Sequence, residues 1–400
     1  MNTLIAARTA APISLMMAGL LTAHTLPAQQ PVAPPAAPAV DFSGVIYPQF
    51  RLATAAATNA NGGKATNRFD IERVYLTFRM PAGDDGSIRV TTDVFNNGAT
   101  CTGCYAGWNV RIKYAYFNYN FLHDIAGKKG FNAAARIGML HTAIIDQVEG
   151  HWPRWISQSA AERSGFFSSA DVGAAGILTL PASWGELYAT VANGPGYGTA
   201  ENDPYKDWSA RLSITPWARE AGLLKSLTIS PWIYAGTTAS KFLTTTGSAG
   251  TSAADGLTRD RVGLFVGLKD RRLTAGVDIG QRTETVETGA TLATRGRSDN
   301  RGQLKSLFAL VRPMELLSDD PKARSRWGVL GRLDTFTPYS STTQAGAQTT
   351  AASNQLLIAG LWWDLNQKAA FSVDFQHLKP RSGSTTLESR VLFLHGQISF

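Results

Sequence analysis

The sequence has few cysteines. Its 400 residues include only two, both in the stretch Cys101-Thr-Gly-Cys104. Two thiols with no neighbouring His or Cys fall short of the four ligands of a structural zinc site. A redox Cys-x-x-Cys pair opens a helix beside a strand, whereas this pair lies in a Gly- and Asn-rich stretch. In an exported protein the spacing predicts a local disulfide, with free thiols or thiol chemistry as alternatives.

The sequence also lacks the motifs of common catalytic and nucleotide-binding sites. No nucleophile motif accompanies the scattered histidines; those considered as a catalytic base are His123, His141, His151, His377 and His395. The stretches "GVDIG" and "GPGYG" lack the Lys-Ser/Thr ending or the strand-to-helix context of a phosphate loop. Basic residues are dispersed rather than gathered in a stripe. We therefore predict no enzymatic activity, no cofactor, no metal site and no nucleic-acid partner.

Long apolar runs are absent beyond the N-terminus, so no later segment reads as a membrane-spanning helix. Residues Thr9–Ala23 are apolar and follow Arg8, but this run is too short and wrongly flanked for a stable anchor. We predict a signal peptide over residues 1–28 and, over the Pro/Ala-rich residues 29–40, an extended spacer or a tail without function. The signal segment contains one Arg and no acid, so the net charge changes from +8 to +7 (8 − 1) on its removal.

Much of the remaining chain alternates between apolar and polar residues with a period of two. In "SIRVTTDVF", for example, Ile88, Val90 and Val94 alternate with Arg89 and Asp93. Such alternation predicts strands with one apolar and one polar face. About sixteen segments show it, each about ten residues long, beginning near Phe42, Asn67, Ser87, Trp108, Phe131, Gly173, Trp184, Tyr205, Lys225, Arg259, Arg272, Gly302, Arg326, Gln355, Ala369 and Ser389.

The connections between these segments tend to alternate between tight turns and long loops. "PAGDDG", "PAS", "KDR" and "NQK" are tight, whereas residues 141–172, 237–258, 283–301 and 337–353 are long and rich in small or polar residues. The polar faces carry charges. Sixteen strands could not close around a dry centre without leaving such charges buried and unpaired. An antiparallel barrel with lipid outside and water inside satisfies both faces and all backbone groups. We predict an all-β, transmembrane barrel over residues 41–400.

Strand parity predicts which charged side chains face the lumen. The cations on the polar faces are Arg51, Arg73, Arg79, Arg111, Lys113, Arg136, Arg211 and Arg332. The acids on the polar faces are Asp93, Asp207, Asp278, Asp334 and Asp374. Arginine suits anions because its planar fork stays charged and donates several hydrogen bonds. The set predicts an anion preference, with a wall of balanced charge as the alternative.

Two further features concern the outer rim and the longest connection. Aromatic residues near strand ends predict interface girdles, or ordinary strand packing; they are Tyr47, Trp108, Tyr119, Trp184, Trp208, Trp232, Trp327 and Trp363. After the fifth segment, residues 141–171 contain apolar side chains that are unfavourable in water: Ile144, Ile145, Trp152, Trp155, Phe166 and Phe167. We predict that this connection folds into the barrel and constricts it; an extracellular flap or subunit contact is the alternative.

Several stretches together resemble the phosphate-selective porin O and P family of outer-membrane channels. They are "FSGVIYPQF", "ARIGML" with "ERSGFF", "YATVANGPG", "DWSARLSITPW", "GRLDTF", "IAGLWWDLNQKAAFSVDFQHL" and "LFLHGQISF". The resemblance spans about residues 42–400. Its departures are His395, where relatives commonly have Arg, and the poorly matching segment 302–312.

The resemblance implies a porin for the passive diffusion of small hydrophilic solutes, especially anions such as phosphate or polyphosphate, in the outer membrane of a Gram-negative-type bacterium. It also implies a homotrimer and a place for Arg163, joined by Arg154, at the constriction. The last strand is expected to pair with the segment near residues 42–53, and its terminal Phe400 to address the barrel-assembly machinery. The alternatives are a non-conducting structural or adhesive barrel and a barrel enzyme.

Overall fold

A computed structural model describes residues 40–55, 66–96, 107–201, 203–240, 256–289, 294–318, 320, 324–341, 354–380 and 388–400. The strands are β1 (Asp41–Ala55), β2 (Thr66–Pro81), β3 (Gly86–Asn96), β4 (Trp108–Leu122), β5 (Asn132–His141), β6 (Ala170–Leu180), β7 (Gly185–Ala192), β8 (Asp207–Ile214), β9 (Thr228–Ala235), β10 (Thr237–Ala239), β11 (Gly256–Lys269), β12 (Leu273–Thr288), β13 (Gly296–Val311), β14 (Trp327–Ser341), β15 (Asn354–Asp364), β16 (Ala369–Pro380) and β17 (Ser389–Ser399). The short helices are α1 (Ile145–Glu149), α2 (Ala160–Arg163) and α3 (Pro313–Leu316). None of the helices in the described ranges is long and apolar enough to cross a membrane.

The strands form one closed antiparallel barrel. Successive strands pair along the chain, and β17 pairs back with β1. β9 and β10 both pair with β11 and are interrupted only at Gly236, so the seventeen segments make sixteen barrel strands. Closure leaves no open sheet edge among the described strands. The predicted architecture and strand number are confirmed.

The seam between β1 and β17 closes with backbone hydrogen bonds at its end. Ile46 lies opposite Ile398, and Phe50 lies opposite Leu394. The amide of Phe400 donates to the Gly44 carbonyl at 3.0 Å, and the Gly44 amide donates to the Phe400 carbonyl at 2.9 Å. The predicted pairing of the last strand with the first is therefore confirmed.

The two faces of the wall differ as the alternation requires. On β8, Trp208 is exposed on the outside, whereas Asp207 and Arg211 are buried on the inside. The aromatic set is not uniform, however. Trp232 is buried on the inner face and packs on Phe167 at 5.4 Å between ring centroids. Its prediction as an outer girdle residue is wrong, because its parity places it with the inward Ser230 and Tyr234.

Some sequence-based predictions concern residues outside the described ranges. Residues 1–28, nearly all of the spacer 29–40, and both cysteines, Cys101 and Cys104, belong to this group. The signal peptide, the spacer and the disulfide therefore stay predictions.

Candidate functional site

The longest described connection joins β5 to β6 and spans residues 142–169, and we call it the β5–β6 connection. It contains α1 and α2. Ser159 caps the N-terminus of α2, and its Oγ accepts a hydrogen bond from the Glu162 amide at 3.2 Å. The apolar side chains buried in the connection are Ala143, Ile144, Ile145, Val148, Trp152, Trp155, Ile156, Ala160, Ala161, Phe166 and Phe167. They form one apolar cluster with inward side chains of the wall.

Aromatic contacts join the β5–β6 connection to several strands. The Trp152 ring lies 5.4 Å from Phe308 of β13, and the Phe166 ring lies 6.4 Å from Phe336 of β14. Phe167 packs on Tyr234 of β9 at 5.3 Å. Buried aromatic side chains each remove a large apolar area from water, so these contacts hold the connection against the wall.

Polar side chains of the wall satisfy the backbone of the same connection. Arg332 Nη1 donates to the Gln158 carbonyl at 2.8 Å, and Gln376 Nε2 donates to the Ile156 carbonyl at 3.1 Å. Lys269 Nζ donates to the Gly150 carbonyl at 2.7 Å. These donors come from β14, β16 and β11. Buried carbonyls need such partners because this segment has little helix of its own.

Arg154 is enclosed within the connection. Its guanidinium contacts Glu149 at 2.6 Å and Glu162, and its Nε donates to the Tyr75 hydroxyl at 3.0 Å. Burial alone would raise the pKa of Glu162, but the charge of Arg154 outweighs it and leaves that pKa below its ordinary value. The sequence suggested that Arg154 faces a solute at the constriction. Only 7% of its side chain is exposed, so it braces the connection instead.

Arg163 stands at the edge of the connection and contacts the opposite wall. Its Nη2 lies 3.0 Å from Asp334 Oδ2, and Asp334 also accepts two hydrogen bonds from Arg332 at 2.9 and 2.8 Å. Burial lowers the pKa of Arg163, although Asp334 acts in the opposite direction. A quarter of the Arg163 side chain is exposed, whereas Asp334 is fully buried.

The same asymmetry recurs in three other ion pairs of the inner wall. It is reversed where Arg211 (4% exposed) meets Glu186 (37%) and where Arg261 (8%) meets Glu284 (22%). Arg73 and Arg111 both contact Asp93 at 3.0 Å, and Arg259 pairs with Asp207 at 2.5 Å. The exposed fractions of these three arginine side chains are 16%, 31% and 20%, whereas those of the two carboxylates are 0% and 1%. The carboxylates thus lie behind the guanidinium groups.

Three other predicted lining residues are covered. Lys113, Arg211 and Arg332 are buried. Lys113 Nζ donates to the Tyr75 hydroxyl at 3.1 Å, and Arg211 donates to the Ala143 carbonyl of the connection. Parity placed these side chains on the correct face, but it could not show that the connection lies over them.

The remaining predicted residues are spread along the wall. Arg79 lies 3.7 Å from Asp41 at the short-turn end, and both are largely exposed. Arg136 Nε donates to Asn118 Oδ1 at 2.8 Å. Arg51 is partly buried and lies opposite Arg68 in the register of β1 and β2.

Three inner-wall arginines were not predicted from the sequence: Arg259, Arg261 and Arg282. Arg261 lies over the rings of Phe167 and Tyr234, at 5.1 and 4.9 Å from their centroids. Arg282 lies 5.3 Å from the centroid of Phe336. The alternation of Arg259 and Arg261 in "TRDRVGL" carried the signal, because both residues share the inward parity of their strand.

Two cavities adjoin the β5–β6 connection. One has a volume of about 170 Å³ and is lined by Phe166, Phe167, Asp207, Tyr234, Arg259 and Arg261, among others. The other has a volume of about 1050 Å³ and brings Trp152 and Trp155 together with Lys269, Arg312, Arg326 and Lys368 near the short-turn end. In the described part of the chain, no group of three or more His, Cys, Asp or Glu side chains is placed to hold a metal ion.

The fold and these features define a closed, sixteen-stranded barrel with a charged inner wall, a class that includes bacterial outer-membrane proteins. No family model matches the chain, and no curated protein matches it. The anion-selective porin from Comamonas acidovorans superposes with a TM-score of 0.59 at 11% identity, over 91% of this chain and 100% of that chain. The resemblance to the phosphate-selective family therefore stays a hypothesis.

Two further solved structures are similar. The outer membrane channel DcaP of Acinetobacter baumannii has a TM-score of 0.55 at 12% identity, over 92% of this chain and 99% of that chain. OmpT, an outer membrane protein of Vibrio cholerae solved in a trimer form, has a TM-score of 0.53 at 10% identity, over 91% and 100%. At such low identities the similarity concerns the fold.

Proposed function

We propose that the protein is an outer-membrane porin for the passive diffusion of small hydrophilic solutes, with a preference for anions such as phosphate or polyphosphate. The proposal includes no enzymatic activity and no cofactor. The shared fold supports it, since the similar structures include a porin described as anion-selective and an outer-membrane channel.

The observation that carries the anion preference is the unequal exposure within four ion pairs of the inner wall. Arg73, Arg111, Arg163 and Arg259 have 16–31% of their side chains exposed, whereas Asp93, Asp207 and Asp334 have at most 1%. At these four pairs, a solute meets guanidinium edges before it meets carboxylates. Selectivity in a water-filled pore follows the lining charge and the pore radius, so this layering favours anions even where the acids and bases are similar in number.

We infer that the β5–β6 connection crosses the lumen and narrows it. Its contacts reach β2 through Tyr75 and the nearby β16 through Gln376 and, across the closed barrel, β11 through Lys269. The two cavities that adjoin it support the same arrangement. Arg163 then lies beside the narrowed path.

Conductance through a planar bilayer tests both parts of the proposal. Purified, folded protein is expected to give stepwise ionic currents, and a KCl gradient is expected to give a reversal potential that favours chloride. Added phosphate or polyphosphate is expected to reduce the chloride current more than an uncharged sugar does. A cation preference would contradict the role of the exposed arginines.

A non-conducting structural barrel is the second candidate. The observation that favours it is the dense attachment of the connection, whose Trp152 and Phe166 side chains are fully buried against the wall. A plug needs such packing along the whole lumen. Inserted protein that carries no current in the same experiment would support this candidate and exclude the porin.

A further inference from the structure

The turn between β7 and β8 folds back over the end of β6 and brings Tyr197 to the inner wall. The Tyr197 amide donates to the Ala170 carbonyl at 2.9 Å, and the Gly194 amide donates to Asp171 Oδ2 at 2.7 Å. Gly194 and Gly196 have φ values of +110° and +85°, a region that favours glycine. These contacts hold Tyr197 at the end of the barrel opposite the short turns.

The Arg111 guanidinium of β4 is held by groups on several sides. Its Nε and Nη2 donate to Asp93 Oδ2 at 3.1 and 3.0 Å, and Nη2 also donates to the Tyr197 hydroxyl at 2.6 Å. The rings of Phe95 and Tyr197 have their centroids 4.2 and 4.4 Å from its Cζ. A guanidinium that is already fixed in this way loses little conformational freedom when it binds a solute.

Two hydrogen-bond donors of this group are unused among the described residues. No hydrogen bond there involves Arg111 Nη1, and the Tyr197 hydroxyl, which accepts from Arg111, has no acceptor for its own proton. A Cβ at position 198 would lie 3.6 Å from Nη1, so Gly198 leaves room beside this donor. Burial raises the pKa of the Tyr197 hydroxyl, which therefore keeps its proton at neutral pH.

The charge beside these donors suits a singly charged solute. Arg73 and Arg111 share the carboxylate of Asp93, at 3.0 Å each, so this ion-pair group retains a net charge of +1 (2 − 1). The Arg111 side chain is 31% exposed, whereas Asp93 is fully buried, so a solute meets the positive side. A carboxylate carries one charge and presents two acceptor oxygens. A phosphate group carries more than one negative charge at neutral pH, which this group would neutralise only in part.

We propose that Tyr197 and Arg111 form a carboxylate-binding subsite at this end of the lumen, in addition to the constriction beside Arg163. The inference rests on the proposed function, because a subsite serves permeation only in a conducting lumen. One carboxylate oxygen accepts from the Tyr197 hydroxyl and the other from Arg111 Nη1. Hydrogen bonds to an ionised acceptor are stronger than those between neutral groups. A halide offers one atom to both donors, so the subsite favours carboxylates over halides.

The permeability of acetate relative to chloride, measured from reversal potentials in planar bilayers, tests the subsite. Tyr197→Phe keeps the ring beside Arg111 but removes the hydroxyl, and it is expected to lower this ratio about fivefold. The chloride-to-potassium ratio is expected to stay unchanged, because the charge of Arg111 remains. Tyr119→Phe, at an exposed position of β4, is the control and is expected to change neither ratio. An unchanged acetate-to-chloride ratio in Tyr197→Phe would overturn the inference.

Inorganic phosphate and a second variant test the class of ligand and the second donor. At about pH 8, the phosphate-to-chloride ratio is expected to fall by less than about twofold in Tyr197→Phe. An equal fall for phosphate and acetate would overturn the assignment to carboxylates. Gly198→Val covers Nη1 without removing a charge or a hydroxyl, and it is expected to lower the acetate-to-chloride ratio as well. An unchanged ratio in this variant would overturn the two-donor subsite.

A binding measurement separates this subsite from the porin proposal. Full-length protein folded in detergent micelles is expected to broaden the proton resonance of acetate, and Tyr197→Phe is expected to broaden it less. This difference without any current in bilayers would overturn the porin and leave the subsite standing. Current without this difference would overturn the subsite alone.

Discussion

The guanidinium of Arg163 in α2 lies 3.0 Å from the carboxylate of Asp334 in β14, although 171 residues separate the two in sequence. The same carboxylate accepts two hydrogen bonds from Arg332 on its own strand. One fully buried acid thus orients a wall arginine and fastens the tip of the β5–β6 connection. The two arginines differ in exposure, and this difference separates their expected effects on selectivity and on stability.

Substitution of the exposed arginine tests selectivity. Arg163→Gln removes a lumen charge and leaves Asp334 paired with Arg332, so the fold is expected to persist. The attraction that is lost between Arg163 and a permeating anion is about 1 kcal/mol. We therefore expect the chloride-to-potassium permeability ratio to fall by roughly fivefold. Reversal potentials in a KCl gradient measure this ratio. Lys128→Gln, in an exposed turn, serves as the control and is expected to leave it unchanged.

Removal of the shared carboxylate tests stability. Asp334→Ala leaves the buried Arg332 without its ion partner, which is expected to cost about 3–5 kcal/mol in the free energy of unfolding. The matched control is Asp41→Ala, which breaks an exposed pair with Arg79 and is expected to cost at most about 1 kcal/mol. Urea unfolding followed by tryptophan fluorescence measures both. Equal costs would show that the Asp334 cluster contributes no more than a surface pair.

The Arg154–Glu162 contact predicts a response to acid. The pKa of Glu162 is lowered in the folded protein, so the contact contributes fully above the ordinary glutamate pKa and is lost as the pH falls through the lowered value. Current noise is therefore expected to stay constant from neutral pH down to about pH 4 and to rise below it. Glu162→Gln, which lacks this titration, is expected to be noisy throughout. A wild-type transition near pH 6 would contradict the assignment to Glu162.

The aromatic anchor of the connection predicts a change in pore size. Trp152→Ala removes the contact with Phe308 and leaves a cavity, at an expected cost of about 3–5 kcal/mol. Because the barrel strands do not depend on this ring, the conductance is expected to rise and fluctuate while the barrel persists. Single-channel recording and sizing with neutral polymers measure the effect. An unchanged size limit for the entry of neutral polymers would show that Trp152 does not help to set the width of the pore. Trp327→Ala on the outer face is the control.

The strands and their faces could be predicted because alternation depends on local sequence alone. The sixteen segments proposed from the sequence all correspond to barrel strands, including the pairing of β17 with β1. Arg211 and Arg332 were also assigned to the correct face. A period of two determines the side of a strand to which each residue belongs, and it needs no knowledge of distant contacts.

Burial on the inner face could not be predicted in the same way. Lys113 and Arg211 are covered by residues far away in sequence, and Arg154 is surrounded by its own connection. Which arginine stays exposed depends on how the connection packs, and no periodicity encodes that. The orientation of Trp232 could not be predicted either. An aromatic ring near a strand end can lie on either face, and the face is known only once the strand boundary is known.

The attachments of the β5–β6 connection also impose an order on folding. Its backbone is held by Arg332 and Gln376, which follow it by 174 and 220 residues. Contacts between such distant segments form late because the intervening chain must first lose its conformational freedom. The connection therefore cannot reach its final position until β14 and β16 are in place. A newly closed barrel would be wide first and narrow afterwards, with the docking of one segment as the last step of its maturation.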